Sequence, residues 1–472
     1  MTQTFIRNAT VITMDAEDRI LKRAGVLFED GVILAVGTDI TPAADAQIVE
    51  GEGRIVIPGL INGHIHMWQT AVRGFGVNWT GIEHHLHMQT EFVPVYTPED
   101  MFQSEYVGAL SLLNGGVTTV YEWCHGNRTP DHSDAAIAGL ERSGIRSLFI
   151  HGTIKTLPRE GELHFSQIPH PAEEARRLRA RYSSDGGMVT LALGLLGPDY
   201  SPLEICAQDF ALARELDLWS SAHYSGKKGK VEGGYFTLAE QGILTGRHNA
   251  VHGNAMSDEE IRLLIAGGNT ITATSTTEIS GGSRAPLVSR VIEAGGRPAI
   301  GNDSETATAG SMFAAMRESL AIDRLFRNIR RDAAARDEGQ AATNAVRRGM
   351  EMPPRKSPNT YDALKWATID NARSMGLDRF IGSLEVGKKA DIVLLRANDI
   401  NLVPAIDPVD AVVGYAEAGN VETVFVDGVA RKAGGVLCDA SAATAAQDLR
   451  ARTERILTEA GRAELLTERF TG

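Results

Sequence analysis

Ile55-Val-Ile-Pro-Gly-Leu-Ile-Asn-Gly-His64-Ile-His66 is a strand-like run that ends in two histidines one residue apart. In an extended strand alternate side chains share a face, so His64 and His66 can point at one ion while Ile65 turns into a surrounding apolar layer. Two histidines on a solvated strand would look the same, so the pair needs support from elsewhere in the chain. Three later runs supply it. Leu218-Trp-Ser-Ser-Ala-His223, Asn249-Ala-Val-His252 and Arg297-Pro-Ala-Ile-Gly-Asn-Asp303 each close on a polar residue where apolar sequence gives way to Gly, Ser or Asn. That is how a strand reads when its C-terminal end opens into a loop.

Further β-rich runs lie between these, at Gly116–Glu122, Ser147–His151, Val189–Leu195 and Thr270–Ser275, alternating with helical stretches. Eight strands at a pace of about 30 residues per unit is the rhythm of βα repeats. A (β/α)8 barrel over residues 59–381 is therefore predicted. On such a barrel the strand C-termini form the active face, and every polar residue named so far falls there. A doubly wound open sheet would not converge its first, fifth, sixth and eighth strands on one point.

Residues 1–58 read as a short β-meander with an Asp-Gly hairpin turn at Asp30-Gly31, and Ala390–Leu395 and Val421–Gly428 repeat that character. The two termini are expected to complete one small β-sandwich, built from 1–58 and 382–435, with a helical segment over 436–472. The fold class is thus α/β, a barrel with a composite sandwich.

The 472 residues carry a formal net charge of −13 and 43% hydrophobic residues. No basic face is available for nucleic acid or an anionic membrane, so the partner is expected to be a small molecule or another copy of the chain. Cys124, Cys206 and Cys438 are scattered and odd in number, which suggests neither a disulfide framework nor a zinc ribbon. The first residues lack a signal-peptide apolar region and no run approaches a bilayer span, so a cytoplasmic location is expected.

Taken together, Pro58-Gly-Leu-Ile-Asn-Gly-His64-Ile-His66, Gly116-Val-Thr-Thr-Val, Ala367-Thr-Ile-Asp-Asn-Ala-Arg-Ser-Met-Gly376 and Gly382-Ser-Leu-Glu-Val-Gly-Lys-Lys-Ala-Asp391 resemble the amidohydrolase superfamily across essentially the whole chain. The style is that of its deaminases and triazine-type hydrolases. The resemblance implies a metal-dependent hydrolase with His64, His66, His223 and Asp303 as ligands and His252 beside them. That set suits Zn(II) first, and also Fe(II), Mn(II) or Co(II). Members with two metals bridge them with a carboxylated lysine on the fourth strand, where this chain has none, so one divalent metal per chain is expected. The family's usual assembly implies a homodimer or homotetramer.

The resemblance also sets expectations for chemistry. Asp303 is placed to accept a proton from water and pass it to a leaving group, and His252 to stabilise developing charge. Many deaminases of the superfamily carry His-x-x-Glu after the fifth strand, whereas this chain reads His223-Tyr-Ser-Gly226. Replacement acids are sought in Glu122, His125, Glu278 and Glu305, with Glu278 and His125 the first choices as catalytic residues. His151 and Lys155 could meet an anionic substrate group, as could the basic loop of Lys227, Lys228 and Lys230. His84, His85 and His87, with Trp68, Gln69 and Trp79, are candidates for the pocket wall. The leading function is deamination of a nitrogen heterocycle. The alternatives are displacement of halide or thiolate from an aromatic ring, and a catalytically inactive oligomeric scaffold.

Overall fold

In the computed structural model the barrel opens where the chain leaves the terminal sheet. Arg54–Pro58 (β5) belongs to the terminal sheet and Leu60–His66 (β6) to the barrel, with Gly59 between them. The structure describes residues 3–224, 229–244, 246–283, 285–337 and 358–466.

The terminal sheet comprises Thr4–Ile12 (β1), Ile20–Glu29 (β2), Val32–Gly37 (β3), Gln47–Glu50 (β4) and β5 from the front of the chain. Ile392–Arg396, Val421–Val426, Val429–Ala433 and Val436–Leu437 join it from the back. The join is the antiparallel pairing of β5 with Ile392–Arg396, in register Val56 to Leu394. Phe28 and Phe425 belong to strands four steps apart along this sheet, yet their rings meet edge to face with centroids 5.2 Å apart. At about 4.8 Å per strand a flat sheet would hold them roughly 19 Å apart. The expected sandwich is therefore one continuous sheet folded over its own core of Ile6, Val26, Phe28, Ile392 and Phe425.

After β6 the parallel barrel strands are Val117–Cys124 (β7), Arg146–His151 (β8), Val189–Leu195 (β9), Ser220–Tyr224 (β10), His248–His252 (β11) and Thr270–Ala273 (β12). The last strand is broken into Ala299–Ile300 (β13) and Asp303–Ser304 (β14); β13 pairs with β12 and β14 with β6, which closes the ring. Most of these strands are buried throughout, as expected when helices cover one face and side chains fill the other. The helices between them start where the sequence says they should. Thr97 caps Pro98–Asn114 in a reciprocal arrangement with Asp100, with Pro98 in the first turn, and Ser257 caps Asp258–Ala266.

The barrel interior is packed below the site by Ile61, Tyr121, Trp123, Leu148, Ile150 and Ala192, and plugged by Ala372, Met375, Leu377 and Ile381. A register shift between Asn62 and Ile65 changes which face the side chains of β6 take. Ile61 packs with that interior layer, whereas Ile65 joins the outer apolar core. Across the shift His64 and His66 turn inward together.

The C-terminal helix, Ala442–Glu459, lies on Pro98–Asn114. Arg452 bonds buried Asp100 at 3.2 Å, and Gln103 donates to the Ala445 carbonyl at 2.6 Å. Within the chain its role is packing.

At the end of the barrel away from the site, Arg146 opens β8 and is nearly fully buried. It makes two hydrogen bonds to Asp391, at 2.7 and 3.1 Å, and one to Asp427 at 3.2 Å. Asp391 in turn accepts the Asp427 amide at 2.8 Å, so this fork ties the barrel to the terminal sheet. Asp391→Ala, which strands a buried guanidinium, should cost about 3–5 kcal/mol, read as a fall in the denaturant midpoint. Arg146→Met combined with Asp391→Leu should recover much of that loss; a single variant as stable as wild type would refute the role.

Candidate active site

The C-terminal ends of four strands deliver the cluster: His64 and His66 from β6, His223 from β10, His252 from β11 and Asp303 from β14. Ligand-type atoms of His64, His223, His252 and Asp303 all lie within 4.8 Å of one another. His66 joins them, with Nε2 3.3 Å from Asp303 Oδ1 and 3.3 Å from His223 Nε2, while His64 Nε2 is 3.4 Å from the same Asp303 oxygen. His252 and Asp303 both have left-handed backbones, φ 71° and 66°. Few residues with a Cβ adopt that conformation, and those that do gather where a side chain must be aimed.

Strand eight reaches the cluster because Gly301 has no side chain. A Cβ there would sit 2.4 Å from the His64 carbonyl oxygen and 2.6 Å from its nitrogen. Over this close approach the Asn302 amide donates to the His64 carbonyl at 3.0 Å, and Asn62 donates to the Asn302 side-chain oxygen at 2.7 Å. Asn371, from the Ala367–Gly376 stretch, donates to the carbonyls of Ile61 and Ile300 at 2.6 and 2.9 Å and accepts the Ile300 amide at 2.9 Å. One side chain therefore pins the first strand to the last.

The cluster is chemically incomplete by itself. His66 donates from Nδ1 to the Trp123 carbonyl at 2.6 Å, which leaves Nε2 as a lone pair facing His223 Nε2. Both ring nitrogens of His64, fully buried, and Nδ1 of His223 have no hydrogen-bond partner among the described residues. Burial drives the His64 imidazole down to about 3 and His223 well below its usual value, so both stay neutral. Asp303 is buried too, which opposes ionisation, but the close approach of the His64 and His66 rings, at 3.4 and 3.3 Å, holds it well below the ordinary carboxylate range. Neutral imidazoles around one ionised carboxylate, with lone pairs converging and unsatisfied, are a donor set for a divalent cation. The residues present fit such an ion.

His252 differs from its neighbours. Burial disfavours its charge, but a 3.4 Å contact from Nδ1 to Glu278 Oε1, with the field of Asp303, raises its pKa above the usual value. Glu278 is itself fixed by the Thr274 amide at 2.8 Å and by Asn254 Nδ2 at 3.0 Å, and Thr274 Oγ1 lies 3.1 Å from His252 Nδ1.

A cavity of about 320 Å³ opens over the cluster. Of the replacement acids sought in the sequence, His125 and Glu278 line it, and the other two do not. Glu122 accepts the Met67 and Trp68 amides at 2.6 and 3.3 Å, shaping the turn after His66, and Glu305 pairs with Arg73. His151 faces His170 at 3.0 Å and does not reach the cavity, so only Lys155 of that pair does. His84 and His85 line the wall, but His87 stacks near Trp79 with centroids 4.6 Å apart, in a second recess with Phe75 and Arg462. Trp68 and Gln69 are buried behind the wall; the Trp68 indole nitrogen is 3.3 Å from His125 Nδ1. Gly226, Lys227 and Lys228 lie outside the described residues.

Gln89, Tyr200, Asn254 and Thr274 were not singled out in the sequence. Only Asn254, two residues beyond His252, carried a usable signal. Trp123 packs under the cluster, its ring 4.4 Å from that of His223, and Gly152 and Gly194 are the two glycines whose Cβ atoms would strike that ring, at 2.4 and 2.8 Å.

A model of the amidohydrolase family matches residues 55–431. The chain belongs to the amidohydrolase family. As a member it is a hydrolase acting on carbon–nitrogen bonds other than peptide bonds. Among curated relatives, the 5-methylthioadenosine/S-adenosylhomocysteine deaminase of Symbiobacterium thermophilum is 28% identical over 447 residues, covering 91% of this chain and 93% of that protein. The 5'-deoxyadenosine deaminase of Methanothermobacter thermautotrophicus is 24% identical over 424 residues, covering 86% and 89%. In fold, this amidohydrolase is similar to an adenosine deaminase from Xanthomonas campestris with bound zinc, at a TM-score of 0.78 and 21% identity over 97% of this chain and 99% of that one. An atrazine chlorohydrolase from Arthrobacter aurescens TC1 in complex with zinc gives a TM-score of 0.78 and 21% identity over 96% and 100%.

Because strand eight rests directly on His64, Gly301→Ala should destabilise the protein by about 1–3 kcal/mol, the range for overpacking. The same variant should lose metal relative to wild type, measured as metal per chain beside the thermal midpoint. Unchanged values of both would show that the close approach is unimportant.

Proposed function

We propose that this amidohydrolase is a deaminase that holds one divalent transition metal, zinc by first choice, and replaces the amino group of a nitrogen heterocycle by oxygen. The observation that carries the reading is the convergence of His64, His66, His223 and Asp303, with His252 beside them, at the floor of the cavity, with buried imidazole nitrogens left unpartnered. The names of the adenosine-type deaminase relatives support the choice of an amino-heterocycle. One ion rather than two is supported by β9, which runs through Val189-Thr-Leu-Ala-Leu-Gly-Leu195 without a lysine or acid.

An ion bound by these side chains supplies acidified water, lowering its pKa from about 15.7 to near 7. The protein's own part is proton handling and charge placement. Asp303, ionised and at the centre of the cluster, takes the proton of the attacking water and returns it to the departing nitrogen, so that water and the amine yield the hydroxyl product and ammonia. His252, whose pKa Glu278 raises, offers a hydrogen-bond donor to the ring atom on which electrons accumulate. Glu278 is therefore a positioning residue for His252. His125, which also lines the cavity, is available to the heterocycle as a neutral imidazole, since burial holds it well below its ordinary pKa.

A second reading is displacement of halide or thiolate from an aromatic ring. It is favoured by Gly226, because a good leaving group needs less protonation than ammonia does. Paired amino- and chloro-substituted heterocycles separate the two by which product is released. Three unpaired cysteines, two of them buried, support a reducing compartment, and we assign the cytoplasm. No helix among the described residues is long and apolar enough to cross a membrane.

His64→Ala should lose bound metal and ammonia release together, measured by elemental analysis and a coupled ammonia assay; an active, metal-free variant would overturn the reading. Glu278→Gln should keep the metal and lower kcat roughly 10- to 100-fold, the usual cost of removing a partner that orients such a histidine. A variant with wild-type kcat would remove Glu278 from the mechanism.

A further inference from the structure

Lys155 is the cation in the cavity that the proposed deamination does not use. It follows β8, is buried, and lines the same wall as Tyr200 and His223. Its backbone amide is held by the Gln89 side-chain oxygen at 2.9 Å, so the residue is built into the wall. Its ammonium lies 4.1 Å from the centre of the Tyr200 ring and 5.9 Å from that of Trp123, the ring that also abuts His223. Among the described residues it forms no ion pair and its Nζ donates no hydrogen bond. Asp199 and Asp303 act on it only through their fields.

Such an arrangement is unbalanced. Two aromatic faces attract an ammonium, but they do not replace the water it has lost, and buried charges in folded proteins are paired. Lysines that only support a fold find a carboxylate or carbonyls, as Lys432 does here with the carbonyls of Asn114 and Ala418 at 2.7 and 3.2 Å. Burial holds the Lys155 ammonium down at about 8, so it is still mostly charged at neutral pH. Lys155 lines the cavity, so a group entering there can supply the paired anion that the described residues do not.

We propose that the substrate of this enzyme carries a carboxylate, or an equivalent acidic group, and that Lys155 receives it across the cavity from His252 and Glu278. This rests on the deaminase reading for the reaction, while the recognition itself is a matter of binding. Lys155 then selects acidic heterocycles over the neutral ones that the cluster could equally process. The Tyr200 face lies alongside the bound group and excludes water from the pair, which strengthens it.

The test uses two flat probes of the same shape that differ only in charge, benzoate and benzamide, titrated calorimetrically into the metal-loaded enzyme. Wild type should bind benzoate about tenfold or more tightly than benzamide, a preference of the size that one desolvated charge pair produces. Lys155→Met should abolish that preference while metal content and thermal midpoint stay at wild-type values, and Lys155→Arg should keep part of it. Should the Met variant not fold, Lys155→Gln is measured in its place. Equal affinity for the two probes in wild type overturns the proposal. So does a benzoate preference that survives in the Met or Gln variant, because the carboxylate would then be meeting the metal. No turnover is required, so failure of ammonia release would refute the deaminase reading without touching this result.

Discussion

The approach of strand eight to the first strand is the constraint on which the rest of this molecule depends. The barrel closes where β14 pairs with β6, and there the backbone of Gly301 lies against His64 too closely for any side chain. Asn371 spends three hydrogen bonds on the same seam. Closure and site assembly are consequently one event. The contact that completes the sheet is the one that brings Asp303 to His64 and His66.

Around that seam the electrostatics divide into two kinds of group. His64 and His223 are kept neutral by burial, with both nitrogens of His64 and Nδ1 of His223 unpartnered among the described residues, and His66 donates from Nδ1 to the Trp123 carbonyl. His252 and Lys155 both line one cavity, the first with its pKa raised by Glu278 and the second with no ion pair among the described residues. A floor of such nitrogens beside these two groups suits a substrate that gains negative charge during reaction and brings some with it. Trp123 separates this polar layer from the apolar interior below, and the two glycines that make room for its ring show how tightly that floor is packed.

Much of this was legible in the chain. The strand runs ending at His64, His66, His223, His252 and Asp303 announce themselves because strand periodicity and loop onset are local properties, written within six or seven residues. The pairing of the two termini was also readable, as repeated strand-turn character, and the small sandwich they build is one sheet folded over itself. The choice among replacement acids was less accessible. Glu122, Glu278 and Glu305 all stand near strand ends, and nothing local distinguishes Glu278, which supports His252, from Glu122, which caps the turn after His66, or from Glu305, which pairs with Arg73.

What the sequence by itself determined is the set of donors and the order of strands that carries them, since residue type and spacing settle both. Tertiary structure alone decided which way the donors face and what each one touches. The register shift at Asn62–Ile65 turns His64 and His66 inward, a change that depends on pairing with β7 and is invisible along β6. Glu278 meets His252 across 26 residues, Asn62 meets Asn302 across 240, and Lys155 forms no ion pair among the described residues. Those relations depend on distances in space between segments remote in the chain, and only closure of the barrel sets them.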